Sequence, residues 1–188
     1  MTRRVPKRPV RNNSSSFNPE KKYCLDTPDR AFRYCQELAG KLEIPYASIE
    51  ELINDNDELE LISRPMGDCD GALEQISPNK FRTTINSNNP KARQRFTMAH
   101  EFAHYQLHRS EINNLPADDK ILFRDENKDP REYAANEYAA AFLMPKNVFL
   151  DKLDSILKGQ FDANTLADIF NVSVAAVNFR AKNLGLLE

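Results

Sequence analysis

The sequence predicts an α+β fold, mostly helical, with a short sheet of few strands and a helix-turn-helix-like pair at its C-terminus. Three observations carry this. Apolar residues recur at helical spacing in four segments, near residues 28–42, 91–107, 131–144 and 146–157. Between them, residues 59–86 change to a two-residue period broken by turn signals. After Gly159, two short helical segments meet at a turn around Asn171.

The first helix starts at Asp26-Thr27-Pro28-Asp29, which offers cap residues, then proline in the first turn, then an acid. Ala31, Cys35, Leu38 and Leu42 form its stripe, widened by Phe32 and Ala39, and Pro45 ends it. Ser48 caps a short helix through Asn54. Leu59, Leu61 and Ser63 alternate with polar residues as on a half-buried strand, and Asp70-Gly71 is a turn signal. Ala72 to Ser77 and Lys80 to Asn86 flank Pro78-Asn79 as a hairpin, with Thr83, Thr84 and Ile85 suited to a strand. Asn86 to Pro90 breaks that strand and can cap a helix from Lys91 to about Leu107, with Phe96, Ala99, Ala103 and Leu107 apolar. Residues 109–129 read as polar and turn-rich, interrupted at Ile121-Leu122-Phe123. Asp129-Pro130 opens an alanine-rich helix to Met144, and Pro145 restarts the chain. Val148, Leu150, Leu153 and Leu157 mark a further helix closed by Lys158-Gly159, and helices at about 163–170 and 173–183 complete the chain.

With 188 residues, the chain is long enough to bury a core without disulfide staples. Its longest wholly apolar run, Ala139 to Met144, is far short of the roughly 20 residues a membrane helix needs. The three cysteines, Cys24, Cys35 and Cys69, are odd in number and irregularly spaced, so they read as reduced thiols of a cytoplasmic protein. Net charge is −2, but residues 1–22 hold seven cations against Glu20, which leaves −8 on the remainder. Those 22 residues read as a disordered basic tail. Residues 23–160 read as the main domain and 161–188 as a helical pair packed on it.

The informative segment is His100-Glu101-Phe102-Ala103-His104. Helical residues four apart differ by about 40° in azimuth and rise about 6 Å, so both imidazoles point the same way. That suits two nitrogen ligands on one tetrahedral zinc. Glu101 sits about 100° round from His100, near such a metal, where it can accept a proton from metal-bound water. His108 continues the i, i+4, i+8 register but lies about 12 Å from His100 by rise alone. A straight helix would hardly bring all three together, so His108 lines the cleft, caps the helix end or does nothing special.

Catalytic zinc takes three protein ligands and an open position. Glu132 and Asn136, four apart on the alanine-rich helix, share a face, and Ala135, Ala139 and Ala140 permit close helix approach. Glu132 reads equally as a third ligand or as a first-turn acid stabilised by the helix dipole; spacing does not choose. If Glu132 ligates, Asn136 can accept the free N–H of a ligand histidine. Glu137 reads as solvated.

Residues Arg93 to His108 resemble the active-site helix of the ImmA/IrrE family of metallopeptidases, and Ile85-Asn86-Ser87-Asn88 resembles that family's strand end. Glu132-x-x-Ala135-Asn136-x-Tyr138-Ala139-Ala140-x-Phe142-Leu143-Met144-Pro145 is similar to its second motif. The resemblance implies a small zincin-like domain, with the H-E-x-x-H helix crossing a sheet of few strands. It implies His100, His104 and Glu132 as ligands of one Zn²⁺ and Glu101 as the base. Phe102-Ala103 replaces the family's common Leu-Gly or Ile-Gly, and Tyr138 replaces its usual Phe.

The mechanism expected from that set is peptide hydrolysis by a zinc-bound water that Glu101 deprotonates. His108, Tyr105, Tyr133 and Tyr138 are the candidate oxyanion donors, and the strand at 80–86 could pair with an extended substrate. The resemblance implies a narrow protein substrate, a helix-turn-helix repressor whose cleavage switches on stress-response or mobile-element genes; other relatives accompany toxin–antitoxin pairs. The alternative is a DNA-binding regulator that uses Leu166 to Arg180, or the basic tail. Residues 161–188 carry Arg180 and Lys182 against Asp162, Asp168 and Glu188, a net of −1, and lack the basic face of a DNA reader. A zinc-bound but inactive module is a third reading, which the presence of Glu101 does not favour.

Overall fold

The computed structural model describes residues 26–38, 48–113, 121–123, 129–155 and 158–188. The expected basic tail, Leu42 and Pro45 lie outside them. The described chain is α+β: seven helices and a four-stranded sheet.

Pro28–Leu38 is α1, with Pro28 at its start and Ala31 and Tyr34 buried. The Tyr34 hydroxyl donates to Asp55 at 2.7 Å, tying α1 to the end of α2, Ile49–Asn54. Ser48 caps α2 by accepting from the Glu51 amide, and Ile49, Leu52 and Ile53 enter the core.

β1 is Leu59–Arg64, β2 Gly71–Ser77, β3 Lys80–Asn86 and β4 Ile121–Phe123, in the order β1-β3-β2-β4. β2 and β3 form the expected antiparallel hairpin. Asn79 turns it at φ 59°, a left-handed position that asparagine tolerates better than most residues. β1 runs parallel to β3, Leu59 opposite Phe81 and Arg64 opposite Asn86. This order corrects two readings. β3 is bonded on both sides, so residues 80–86 have no free edge to offer a substrate. Ile121 to Phe123 is the edge strand β4, paired antiparallel with β2, rather than an interruption in a loop. Three residues are too few to show a period, and their pairing is a tertiary fact.

Lys91–Asn113 forms α3, six residues longer than periodicity suggested. Its last turn is polar except Ile112, which is 1% exposed and anchors it in the core. α3 packs on β2 and β3, and α4, Pro130–Leu143, packs along α3. Asp129 caps α4 by accepting from the Arg131 amide. Ala135, Ala139 and Ala140 are fully buried, which lets the two backbones approach closely.

Lys146–Ser155 is α5, Ala163–Phe170 α6 and Val174–Asn183 α7. Asn171 makes the turn between α6 and α7 at φ 50°, and Ser173 caps α7 through the Ala176 amide. The pair is held by bonds to the elements before it. Arg180 Nε donates to the Met144 carbonyl at 2.9 Å, and Arg95 Nη1 donates to the Phe170 carbonyl at 2.8 Å. Among the described residues, no helix is long and apolar enough to cross a membrane.

Candidate metal centre

Residues 99–105 of α3 are all buried, and one face of that stretch is polar. His100, Glu101 and His104 are each at most 2% exposed, and His108 is 7% exposed. Isolated polar groups are costly to bury, so their partners define the site.

His100 Nε2 and His104 Nε2 are 3.0 Å apart. Glu132, from the first turn of α4, places Oε2 3.1 Å from His100 Nε2 and Oε1 3.0 Å from His104 Nε2. One ligand atom from each residue falls within 4.8 Å of the others. The spacing is close to the edge of about 3.3 Å between ligands held about 2.0–2.1 Å from a tetrahedral ion. Asn136, one turn along α4, sets its Oδ1 3.0 Å from His100 Nδ1. With the His100 proton on Nδ1 for that bond, Nε2 directs a lone pair at a carboxylate oxygen and at a second imidazole. Acceptors converging this closely call for a cation between them, so the residues fit a divalent metal. Where the ring protons instead face the carboxylate, burial raises the Glu132 carboxyl but bonds from His100 and then His104 outweigh it and hold the group well below the usual carboxylate range, so Glu132 is an anion in either case.

Glu101 lies next to this cluster, against the start of β2. A Cβ built on Gly71 would stand 2.4 Å from Thr97 Cγ2, 3.1 Å from the Thr84 carbonyl and 3.2 Å from Glu101 Oε1. Only a hydrogen fits there. The loop before Gly71 is pinned by Asn86, 2% exposed, whose Nδ2 donates to the Gly67 and Cys69 carbonyls at 3.0 and 2.8 Å. Asp70 accepts from Asn89 Nδ2 at 2.7 Å and from Arg93 Nη2 at 2.9 Å, which ties that loop to α3. Sequence reading took Asp70-Gly71 as a turn and missed Gly71 as a contact for Glu101. A glycine opening a strand was the available signal of close backbone approach.

The remaining candidates separate. His108 Nδ1 lies 3.0 Å from His104 Nδ1, and burial, then the neighbouring His104, lower its pKa below the ordinary imidazole value. Tyr133 is 55% exposed beside Glu132, its ring edge-on to Phe179 at 6.0 Å. Tyr105 is turned away. It lies about 140° around α3 from His100, its ring packs edge-on to Phe81, and its hydroxyl donates to Glu58. Arg109 donates to the same hydroxyl at 3.1 Å. Burial, then the bond to Glu58, push the Tyr105 phenol up to about 12. Tyr138 is 3% exposed and packs against Phe102 in the core. Neither ring is placed as an oxyanion donor. A groove of about 550 Å³ adjoins the site through Asn136, walled by Phe96, Phe179, Ala176 and Pro90.

The model of the IrrE N-terminal-like domain, Peptidase_M78, matches residues 57–182, well over half of the chain. Among solved structures, the chain is similar to a Mycobacterium tuberculosis transcriptional regulator, at 17% identity and a TM-score of 0.54. That similarity covers 84% of this chain and 47% of the other, so the chain spans about half of the regulator's length. At this identity it speaks for the fold alone. No curated protein matches the chain. With the family match running from β1 through α7 and enclosing the whole His100, His104 and Glu132 cluster, the chain belongs to the Peptidase_M78 family of IrrE N-terminal-like domains.

Proposed function

We propose that this chain is a zinc-dependent endopeptidase that acts in the cytoplasm on a helix-turn-helix repressor. The observation that carries the reading is the convergence of His100, His104 and Glu132, with Glu101 buried beside them. Two imidazoles and one carboxylate favour zinc over harder ions.

His100, His104 and Glu132 would hold the zinc ion, which when bound would supply an acidified water and polarise the scissile carbonyl. Glu101 takes the proton of the attacking water and delivers it to the leaving amine as the C–N bond breaks and the new C–O bond forms. Glu101 is 1% exposed, and its Oε1 lies against the backbone of Gly71 at the start of β2, so its carboxylate is shielded from bulk water. Asn136 holds the His100 ring through Nδ1.

The outer edge of β4 can take an extended segment of substrate as an added strand, one strand over from Gly71 and Glu101. The groove walled by Phe96 and Phe179 adjoins Asn136 and offers room for an apolar side chain of a substrate. The repressor as substrate rests on the resemblance of the two motifs to those of the ImmA/IrrE family.

DNA reading by α6 and α7 is the weaker alternative. Of the two cations in the pair, Arg180 is 8% exposed and bonded inward, which leaves α7 with Lys182 alone. Elemental analysis of purified protein tests the metal: about one zinc per chain is expected, with a strong loss in Glu132→Ala. Incubation of the loaded protein with repressors encoded beside its gene tests the substrate. A single cut that disappears in Glu101→Gln supports the proposal. No metal after zinc is added back overturns it.

A further inference from the structure

The three histidines of α3 constrain one another's ring protons once His100 and His104 hold a metal, as proposed for this site. His104 directs Nε2 toward His100 Nε2 and Glu132 Oε1, at 3.0 Å from each. A neutral imidazole that gives Nε2 to a metal carries its proton on Nδ1. His104 Nδ1 stands 3.0 Å from His108 Nδ1. Two N–H groups do not face each other at that distance, so His108 Nδ1 is the acceptor and the His108 proton sits on Nε2.

We propose that His108 is the positioning residue for His104: it accepts the Nδ1–H of His104, fixes that ring's tautomer and so presents His104 Nε2 to the metal. Each ligand histidine then has its own acceptor. Asn136 from α4 serves His100, and His108 from α3 itself serves His104. The 7% exposure of His108 leaves little water to replace it. The rings lie 5.1 Å apart between centroids, tilted by 49°, as in-plane hydrogen bonding between side chains one turn apart allows. The i+8 histidine is thus too far along α3 to be a ligand but well placed to hold one. Partners of this kind typically contribute 10–100-fold to metal affinity.

The test uses the full chain and Zn²⁺ alone. Zinc affinity is measured by competition with a chromophoric chelator for wild type, His108→Ala and His108→Asn. Asparagine sets an amide oxygen close to the position of Nδ1 and restores the acceptor without the ring. Expected are a weakening of about 10–100-fold in His108→Ala and recovery to within a few-fold in His108→Asn. Imidazole ¹⁵N spectra of the zinc-loaded wild type should show His104 protonated at Nδ1 and His108 protonated at Nε2. Equal affinity in wild type and His108→Ala overturns the inference, as does His108→Asn binding no better than alanine, or a proton found on His108 Nδ1. Wild type that binds no zinc overturns the metal centre itself, a distinguishable failure because the variants need not be compared.

Discussion

Replacing Gly71 with alanine adds one methyl at the point where the sheet meets α3, beside the proposed base Glu101. Gly71 is absent from the glycines with positive φ, so its backbone would accept alanine and the effect is one of space. The new Cβ would stand 2.4 Å from Thr97 Cγ2, well over 1 Å inside the usual carbon–carbon separation of about 3.5–4.0 Å. The Thr84 carbonyl at 3.1 Å belongs to the neighbouring central strand and cannot yield easily. The yielding parts are therefore Thr97 and Glu101, whose Oε1 would be 3.2 Å away. Overpacking of this kind costs about 1–3 kcal/mol of stability. A displacement of the base by about 1 Å costs on the order of 100-fold in rate. Denaturant unfolding, zinc affinity and peptide cleavage should be measured on Gly71→Ala, Thr97→Ser and the double variant. Serine at 97 can remove Cγ2 and relieve the shortest contact. The double variant should recover most of the lost stability, whereas zinc affinity stays within a few-fold of wild type throughout. Gly71→Ala as stable and active as wild type would refute the reasoning, and so would a loss that Thr97→Ser leaves untouched.

Three further outcomes follow from the same geometry. Glu101→Gln should retain zinc and lose about 100- to 10,000-fold in cleavage, read from elemental analysis beside single-turnover rates; an active variant would remove the base assignment. Tyr105 is held neutral in the fold, with its phenol raised from 10.0 to about 12. Its contribution to stability is therefore complete below pH 10 and declines as pH rises from there to about 12; unfolding of Tyr105→Phe across that window should lack this part of the decline. Arg180→Ala should cost about 1–3 kcal/mol by leaving the Met144 carbonyl without its donor, and should speed amide exchange in α6 and α7 more than in α3.

The local features of the site were legible, and the tertiary ones were not. His100, His104 and Glu101 share an element, so helical geometry alone puts the imidazoles on one face. Glu132 and Asn136 could be paired with each other by the same rule. Placing Glu132 against His100 needed the packing of α4 on α3, which spacing left undecided and which the buried alanines Ala135 and Ala139 make possible. The rest failed for reasons of the same kind. Residues 80–86 look like any strand, and their central place depends on β1 returning parallel beside them. Tyr105 is four residues past Glu101 and looks near the chemistry on paper. Its azimuth, about 140° from His100, sends it to Phe81 and Glu58 and away from the histidine face. The length of α3 was underestimated because its last turn is polar, and a single buried Ile112 decides it.

The C-terminal pair shows why a motif is weaker than its surroundings. α6, the Asn171 turn and the Ser173 cap form helix-turn-helix geometry, and sequence alone allows the second helix to read a groove. A reading helix must keep one face free and basic. On α7, Ala176, Val177, Arg180 and Ala181 form the buried face and Phe179 is half-buried in the groove beside Asn136, while the exposed face, with Val174, Ala175 and Lys182, carries one cation. The guanidinium that could meet a phosphate is instead bonded to Met144, at the C-terminal cap of the helix that carries Glu132. That placement gives α7 a different task. It covers the C-terminal end of α4 and walls one side of the groove at Asn136, so it braces the helix on which the third donor stands. Helix-turn-helix packing here covers α4, and the inward Arg180 leaves Lys182 as the one exposed cation on α7.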